Sequence, residues 1–183
     1  TQCHRLILEG LFGRVRKVTT TRKLMDNDTL AELKIKILAL KYPKEVCRDI
    51  VGSKDYHYEI EYIVGNIKRN RLITNLALEQ EGNTLVLFQY VEKHGKPLYD
   101  LIKDKAHKKR KVFYVSGEVD SEVREKIRGI VEKQKNAIIV ASLGTFSTGV
   151  NIRNLHNIIF ASPSKSQVKV LQSIGRGLRK SED

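Results

Sequence analysis

Gln172, Arg176 and Arg179 recur at i, i+4 and i+7 near the carboxy-terminal end of the chain. On a helix this spacing puts all three on one stripe, while Leu171, Ile174 and Leu178 form a separate stripe that can face a core. Two arginines on an exposed helical face are usually solvated charge. Here Gly175 and Gly177 sit among them, and each glycine costs about 1 kcal/mol relative to Ala within a helix. Breaking local preference twice beside two arginines points to close approach by another surface. The chemistry such a group could do is phosphoryl transfer. A guanidinium aimed at a γ-phosphate stabilises the developing charge, worth on the order of 10³–10⁵ in rate. Upstream, residues 141–152 read ASLGTFSTGVNI, dense in glycines and small hydroxyl residues. Such a segment can offer backbone N–H groups and hydroxyls to phosphate or ribose oxygens. It can equally be a tight connection.

These residues need elements to position them. Short apolar runs at 84–90, 111–116, 137–142 and 157–161 are rich in β-branched residues and too short for buried helices. Helical stretches are expected between and after them, at about 91–104, 121–134 and 164–179. Val123, Ile127, Ile130 and Val131 give the second an apolar face, and Asp120 or Ser121 is its N-cap. Strand–helix–strand repetition with wholly apolar strands predicts an α/β fold, a mostly parallel sheet with helices on both faces. Function in such sheets collects at the carboxyl ends of the strands. Further upstream, Leu33, Ile35 and Ile37 alternate with Lys34 and Lys36 and predict a strand over 33–42, closed by Pro43. Residues 44–81 read as helical, with Ile60, Ile63, Val64 and Ile67 at 3- and 4-residue spacing. Residues 1–29 read as a lead segment.

The 183 residues carry 34 Lys+Arg against 21 Asp+Glu, a formal net charge of +13. That surplus favours a polyanionic partner. Lys103, Lys105, Lys108, Lys109, Arg110 and Lys111 crowd nine positions, opposed by Asp104. A solvated charge run and a phosphate-contacting patch are both open readings. Cys3 and Cys47 are isolated and the five histidines scattered, so neither a disulfide framework nor a zinc site is expected, and a reducing cytoplasm fits. No apolar run approaches the roughly 20 residues of a membrane span. The chain opens on Thr1 without a signal pattern and reads as a fragment. Gly144 and Gly149 have the separation of a phosphate-cradling GxxxxGK[ST] loop, but Val150-Asn151 follows them. No acidic pair after an apolar strand offers a magnesium site. Alone, the chain is expected not to hydrolyse ATP.

Gln172-x-x-Gly175-Arg176-x-x-Arg179 resembles motif VI of the superfamily-2 helicases, and residues 142–152 resemble their motif V. Thr84–Tyr90 stands where motif IV is expected. Val115-Ser-Gly117, followed by Arg124-Glu125, resembles the intervening motif. The resemblance spans about 84–180 in family order. The lead segment, with Gly10-Leu-Phe-Gly13 and Thr19-Thr-Thr21, is similar to the stretch after motif III in the phage recombination-helicase branch of that superfamily.

The resemblance implies that residues 1–29 are the tail of a first RecA-like domain with its linker, and 30–183 a second RecA-like domain. It implies ATP clamped between the two, with magnesium held by the first. Arg176 and Arg179 would reach the γ-phosphate, Arg179 as the finger. Gln172 would couple the halves, and Gly149 and Asn151 would lie near the nucleotide. Gln89, Gly117, Arg124, Ser142 and Thr145 would touch the nucleic-acid backbone. Many relatives have Asp where Asn151 stands, which weakens a ribose-binding role there, although an amide still hydrogen-bonds. The implied partner is DNA, as branched recombination or fork intermediates, in the cytoplasm of an infected bacterial cell. The rival readings are a non-catalytic basic DNA-binding module and a domain with a purely docking role.

Overall fold

The computed structural model describes residues 2–14, 16, 19–27, 31–148, 152 and 154–177. The chain divides into two units, Thr1–Leu33 and Lys34–Asp183. In the first, α1 (Gln2–Phe12) carries an Arg5–Glu9 ion pair one turn apart at 2.9 Å. Gly13 ends this helix in the left-handed region at φ 80°, donating its N–H to the Glu9 carbonyl at 2.9 Å. A second helix, α2 (Thr21–Asp26), is capped by Thr20, whose hydroxyl accepts from Lys23 N.

Beyond it, residues 31–43 have no regular secondary structure. The strand expected over 33–42 does not form. Its alternating pattern is present, but among the described residues no strand pairs with it, so its backbone groups are left to water and there is no ladder to hold it as a strand. Ile35 and Ile37 are accordingly 66% and 89% exposed. Residues 44–81, expected to be helical, form three helices: α3 (Lys44–Ser53), α4 (Tyr56–Gly65) and α5 (Ile67–Glu79). Asp55 caps α4 by accepting from His57 N at 2.8 Å, and Asn66 caps α5 by accepting from Arg69 N at 3.0 Å. Ile60 and Val64 are buried, as their spacing requires, whereas Ile67 is exposed.

The four apolar runs form β1 (Thr84–Phe88), β2 (Val112–Val115), β3 (Ile138–Ser142) and β4 (Asn157–Phe160). They pair in parallel in the order β2-β3-β1-β4. Every residue of β1 and β3 is buried, as central strands covered on both sides must be. Alternate side chains serve opposite faces. Val86, Phe88, Ile138 and Val140 pack with Leu98 and Ile102 of α6 (Lys96–Lys105) and with Ile73 and Ala77 of α5. Leu85, Leu87, Ile139 and Ala141 pack with Val131 of α7 (Ser121–Glu132) and with Leu143 and Phe146 of α8 (Leu143–Thr148). The faces follow from topology. The connection from β1 to β2 runs across the sheet in one direction, and those from β2 to β3 and β3 to β4 in the other. Crossovers of one hand therefore place α6 opposite α7 and α8. A last helix, α9 (Gln167–Gly177), packs against α8 and β4.

At the amino-terminal edge of the sheet, Asn83 ties the strands together. Its fully buried amide donates to the carbonyls of Gln134 and Asn154, both at 2.8 Å, and accepts from Ala137 N at 2.8 Å. Gly82 precedes it at φ 82°, where an added Cβ would lie 2.6 Å from the His156 ring. Both the conformation and the space require glycine there.

Candidate functional site

The carboxyl edge of the sheet gathers residues from three strands. Ser142 closes β3, and its hydroxyl donates to Thr145 Oγ1 at 2.7 Å while accepting from Thr145 N at 3.2 Å. This local exchange is what turns the strand into α8. Six residues of the segment 142–152, expected as a loop, are thus helical, because Ser142 supplies the oxygen that an emerging helix needs at its first turn. Ser142 and Thr145 are each only 8% exposed. Gly117, just past β2, is exposed, and a Cβ there would lie 3.7 Å from Thr145 Oγ1. Ser142, Thr145 and Gly117 therefore border one spot. Gln89 follows β1 with its side chain exposed, and its N–H donates to Ser162 Oγ at 3.0 Å. Arg124 stands on α7, half-buried, with an Nε that is buried and without a hydrogen-bond partner.

Gln172 is exposed on α9. The backbone of Arg176 lies in the same helix. Gly149, Asn151 and Arg179 lie outside the described residues. At Gly175 an added Cβ would meet nothing within 4 Å. Nothing among the described residues demands a glycine there. Asp120 occupies the N-cap position of α7 without a side-chain hydrogen bond.

Sequence spacing gave no sign of a buried polar group behind Gln89. His94 is fully buried in the π-helical turn Val91–Gly95. Its Nδ1 lies 2.8 Å from Ser162 Oγ and its Nε2 3.1 Å from Asn70 Oδ1. Asn70 Nδ2 donates to the Val64 carbonyl at 2.8 Å, so its Oδ1 is the acceptor facing His94. Nε2 then carries the proton, and Nδ1 accepts from the Ser162 hydroxyl, whose oxygen accepts in turn from Gln89 N. One neutral tautomer satisfies every group. Burial first, and then the nearby Arg69 charge, push the imidazole pKa down to about 4. Arg69 itself donates to the Ala161 carbonyl at the end of β4, at 2.5 Å. Helix α5, the π-helical turn and the ends of β1 and β4 are thereby joined just behind the carboxyl edge. The partners come from segments 24 and 68 residues apart, which no short-range pattern can reveal.

Among the described residues, no three or more His, Cys, Asp or Glu gather as metal ligands. No helix of the described residues is long and apolar enough to cross a membrane.

A model of the helicase conserved C-terminal domain matches residues 67–181. The chain belongs to that helicase family. The match begins at the first residue of α5 and takes in the whole sheet and α9. The chain is 45% identical over 174 residues to the ATP-dependent DNA helicase UvsW of Enterobacteria phage T4, covering 93% of this chain and 34% of that protein. The crystal structure of T4 UvsW superposes with a TM-score of 0.65 at 43% identity, over 78% of this chain and 29% of that one. The chain therefore spans about a third of the relative's length. The parallel four-stranded sheet with helices on both faces is the α/β architecture anticipated from the strand–helix rhythm, and it is consistent with the RecA-like fold that the family resemblance implied.

Proposed function

We propose that this chain is the second motor domain of an ATP-dependent DNA helicase that acts on branched recombination or replication intermediates. Residues before about 30 form the tail of the first motor domain. The carrying observation is the convergence of Gln89, Gly117, Ser142 and Thr145 at the carboxyl ends of β1, β2 and β3. That edge is where an open α/β sheet binds ligands. DNA passes along it and is held through its phosphates by backbone N–H groups, hydroxyls and Arg124, so binding is largely independent of sequence.

ATP sits between this domain and the first. Arg176 and Arg179 project from the α9 region toward its γ-phosphate, Arg179 as the finger and Gln172 as a link between the halves. Gly149 and Asn151 flank the nucleotide. The open space at Gly175 supports this reading, because a helix face trimmed to glycine with none of the described residues within 4 Å of an added Cβ suits close approach by another domain. T4 UvsW is named an ATP-dependent DNA helicase, which supports the same activity here. The first domain supplies the magnesium site.

The test is DNA-stimulated ATP turnover by the intact protein that carries this chain, wild type beside Arg179→Ala. Loss of an arginine finger lowers stimulated turnover by on the order of 10³-fold or more, with DNA affinity retained. Equal turnover in both proteins overturns the finger assignment. No turnover in the wild type leaves a non-catalytic DNA-binding module as the reading.

A further inference from the structure

The sheet has a second charged edge, on the side away from the residues just described. Lys103 and Lys105 lie in the last turn of α6, Lys108 and Lys109 on the loop after it, and Lys111 directly before β2. Lys133 and Lys135 lie between α7 and β3. All seven side chains are exposed, and none is in an ion pair among the described residues. The carboxylates around these lysines are Asp100 and Asp104 on α6, Glu132 at the end of α7, which pairs with Arg128, and Glu79 and Glu81 before β1.

The loop that carries the cluster is fixed. Arg110 turns inward, its guanidinium donating to the carbonyls of Leu78 at 2.6 Å and Gln80 at 2.9 Å. Its N–H donates to the His107 carbonyl at 2.7 Å, and Ile138 N donates to the Lys111 carbonyl at 2.9 Å. One cation of the run is therefore a clamp, and it holds its neighbours outward. Lysines at a helix carboxyl end complement the helix dipole. That accounts for Lys103, Lys105 and Lys133. It does not account for Lys108, Lys109, Lys111 and Lys135, which stand beyond the helices.

The strands are four or five residues long, so roughly 15 Å separates this edge from the one bearing Gln89 and Ser142. A strand tracking the carboxyl edge does not also contact these lysines. We propose that the amino-terminal edge is a second DNA-binding surface, one that grips the phosphate backbone of a duplex arm. The chemistry selects duplex over single strand. A surface that holds single strands through base stacking carries exposed aromatic rings, and residues 103–111 contain no Phe, Tyr or Trp. The nearby Tyr99 ring is covered by the Lys103 ammonium, 5.4 Å from its centre. Lysine ammonium groups act as point charges toward phosphates and read no base.

This inference rests on the proposed DNA partner, and the two can fail separately. The experiment uses the intact protein with Lys108→Ala, Lys109→Ala and Lys111→Ala combined. Its affinity is measured for a blunt linear duplex, a four-way junction and a single strand across a salt series. Duplex and junction binding are expected to weaken roughly tenfold, and the slope of log affinity against log salt to become shallower by about 0.9 for each phosphate no longer neutralised. Single-strand affinity, and ATP turnover at saturating single strand, stay at the wild-type level. A second variant, Lys133→Ala with Lys135→Ala, flattens the duplex slope in the same direction. Unchanged duplex affinity and slope in both variants overturn the proposal, as does an equal loss on single strand, which would merge these lysines with the first track. A wild type that binds no DNA overturns the motor reading itself.

Discussion

His94 shows what a single side chain contributes when its surroundings leave it one protonation state. With Nε2 donating to Asn70 and Nδ1 accepting from Ser162, a second proton would displace the hydroxyl hydrogen and place a buried charge near Arg69. The folded pKa of about 4 lies below the ordinary histidine value of 6.5. In the window between those values the unfolded chain binds a proton that the folded chain refuses, so stability rises with pH across it. Going the other way, acidification from pH 7.5 to 4 should remove roughly 3 kcal/mol through this group alone. Urea unfolding of wild type and His94→Gln across that range checks it. The variant, which carries no titrating ring, should lose less stability on acidification. Parallel pH profiles would mean that protonated His94 is tolerated in the fold. The functional corollary is local. Ser162 holds the backbone of Gln89, so disorder of the network would be felt first at the edge where DNA is proposed to run.

The π-helical turn Val91–Gly95 joins β1 to α6, and its last residue decides how tightly. A Cβ at Gly95 would fall 2.4 Å from the Phe88 ring. Phe88 is fully buried and stacks on Tyr114, with ring centres 5.6 Å apart and planes 9° from parallel. It cannot step aside without opening the face of the sheet under α6. Gly95→Ala should therefore destabilise the protein by about 1–3 kcal/mol as an overpacked core position. An unchanged urea midpoint would show that the ring has room to move. Nothing in the local sequence marks this glycine, because the atom that excludes a side chain lies on the preceding strand. The same distinction separates the features legible in the sequence from those that are not. The strands at 84–90, 111–116, 137–142 and 157–161 are legible as short apolar runs, which record burial on both faces for β1 and β3 and partial burial for the edge strands β2 and β4. The helix over 121–132 is legible because its period records one apolar side. The expected strand at 33–42 carries the right alternation but has no partner to pair with. Helix α8 is hidden because its start is set by the Ser142–Thr145 exchange rather than by any apolar period. Among the site residues, Ser142, Thr145 and Gly117 lie together at the carboxyl edge of the sheet. The Asn83 and His94 networks are long-range and leave no local trace.

At the scale of the whole molecule, the two proposed DNA surfaces lie on opposite edges of the sheet, in a chain with a net charge of +13. The carboxyl edge carries hydroxyls, glycines and one half-buried arginine, suited to a strand that must be gripped and released. The amino edge carries an excess of lysines over carboxylates, which suits the duplex grip proposed for it. No GxxxxGK[ST] loop occurs in the 183 residues, and the described residues gather no carboxylates for a metal. The isolated chain should therefore bind DNA with a steep salt dependence, yet turn over no ATP. Its DNA affinity should also ignore ATP, because a nucleotide shifts a binding equilibrium only when it distinguishes two states, and the proposed clamp that would create those states needs a partner domain. In the intact protein the same nucleotide should change DNA affinity. Fluorescence anisotropy of a labelled single strand, with and without a non-hydrolysable ATP analogue, makes the comparison for both proteins, and DNA binding by the isolated chain serves as its own control for folding. An isolated chain that hydrolyses ATP, or whose DNA affinity responds to the analogue, would place a complete nucleotide site within these residues and overturn the two-domain clamp.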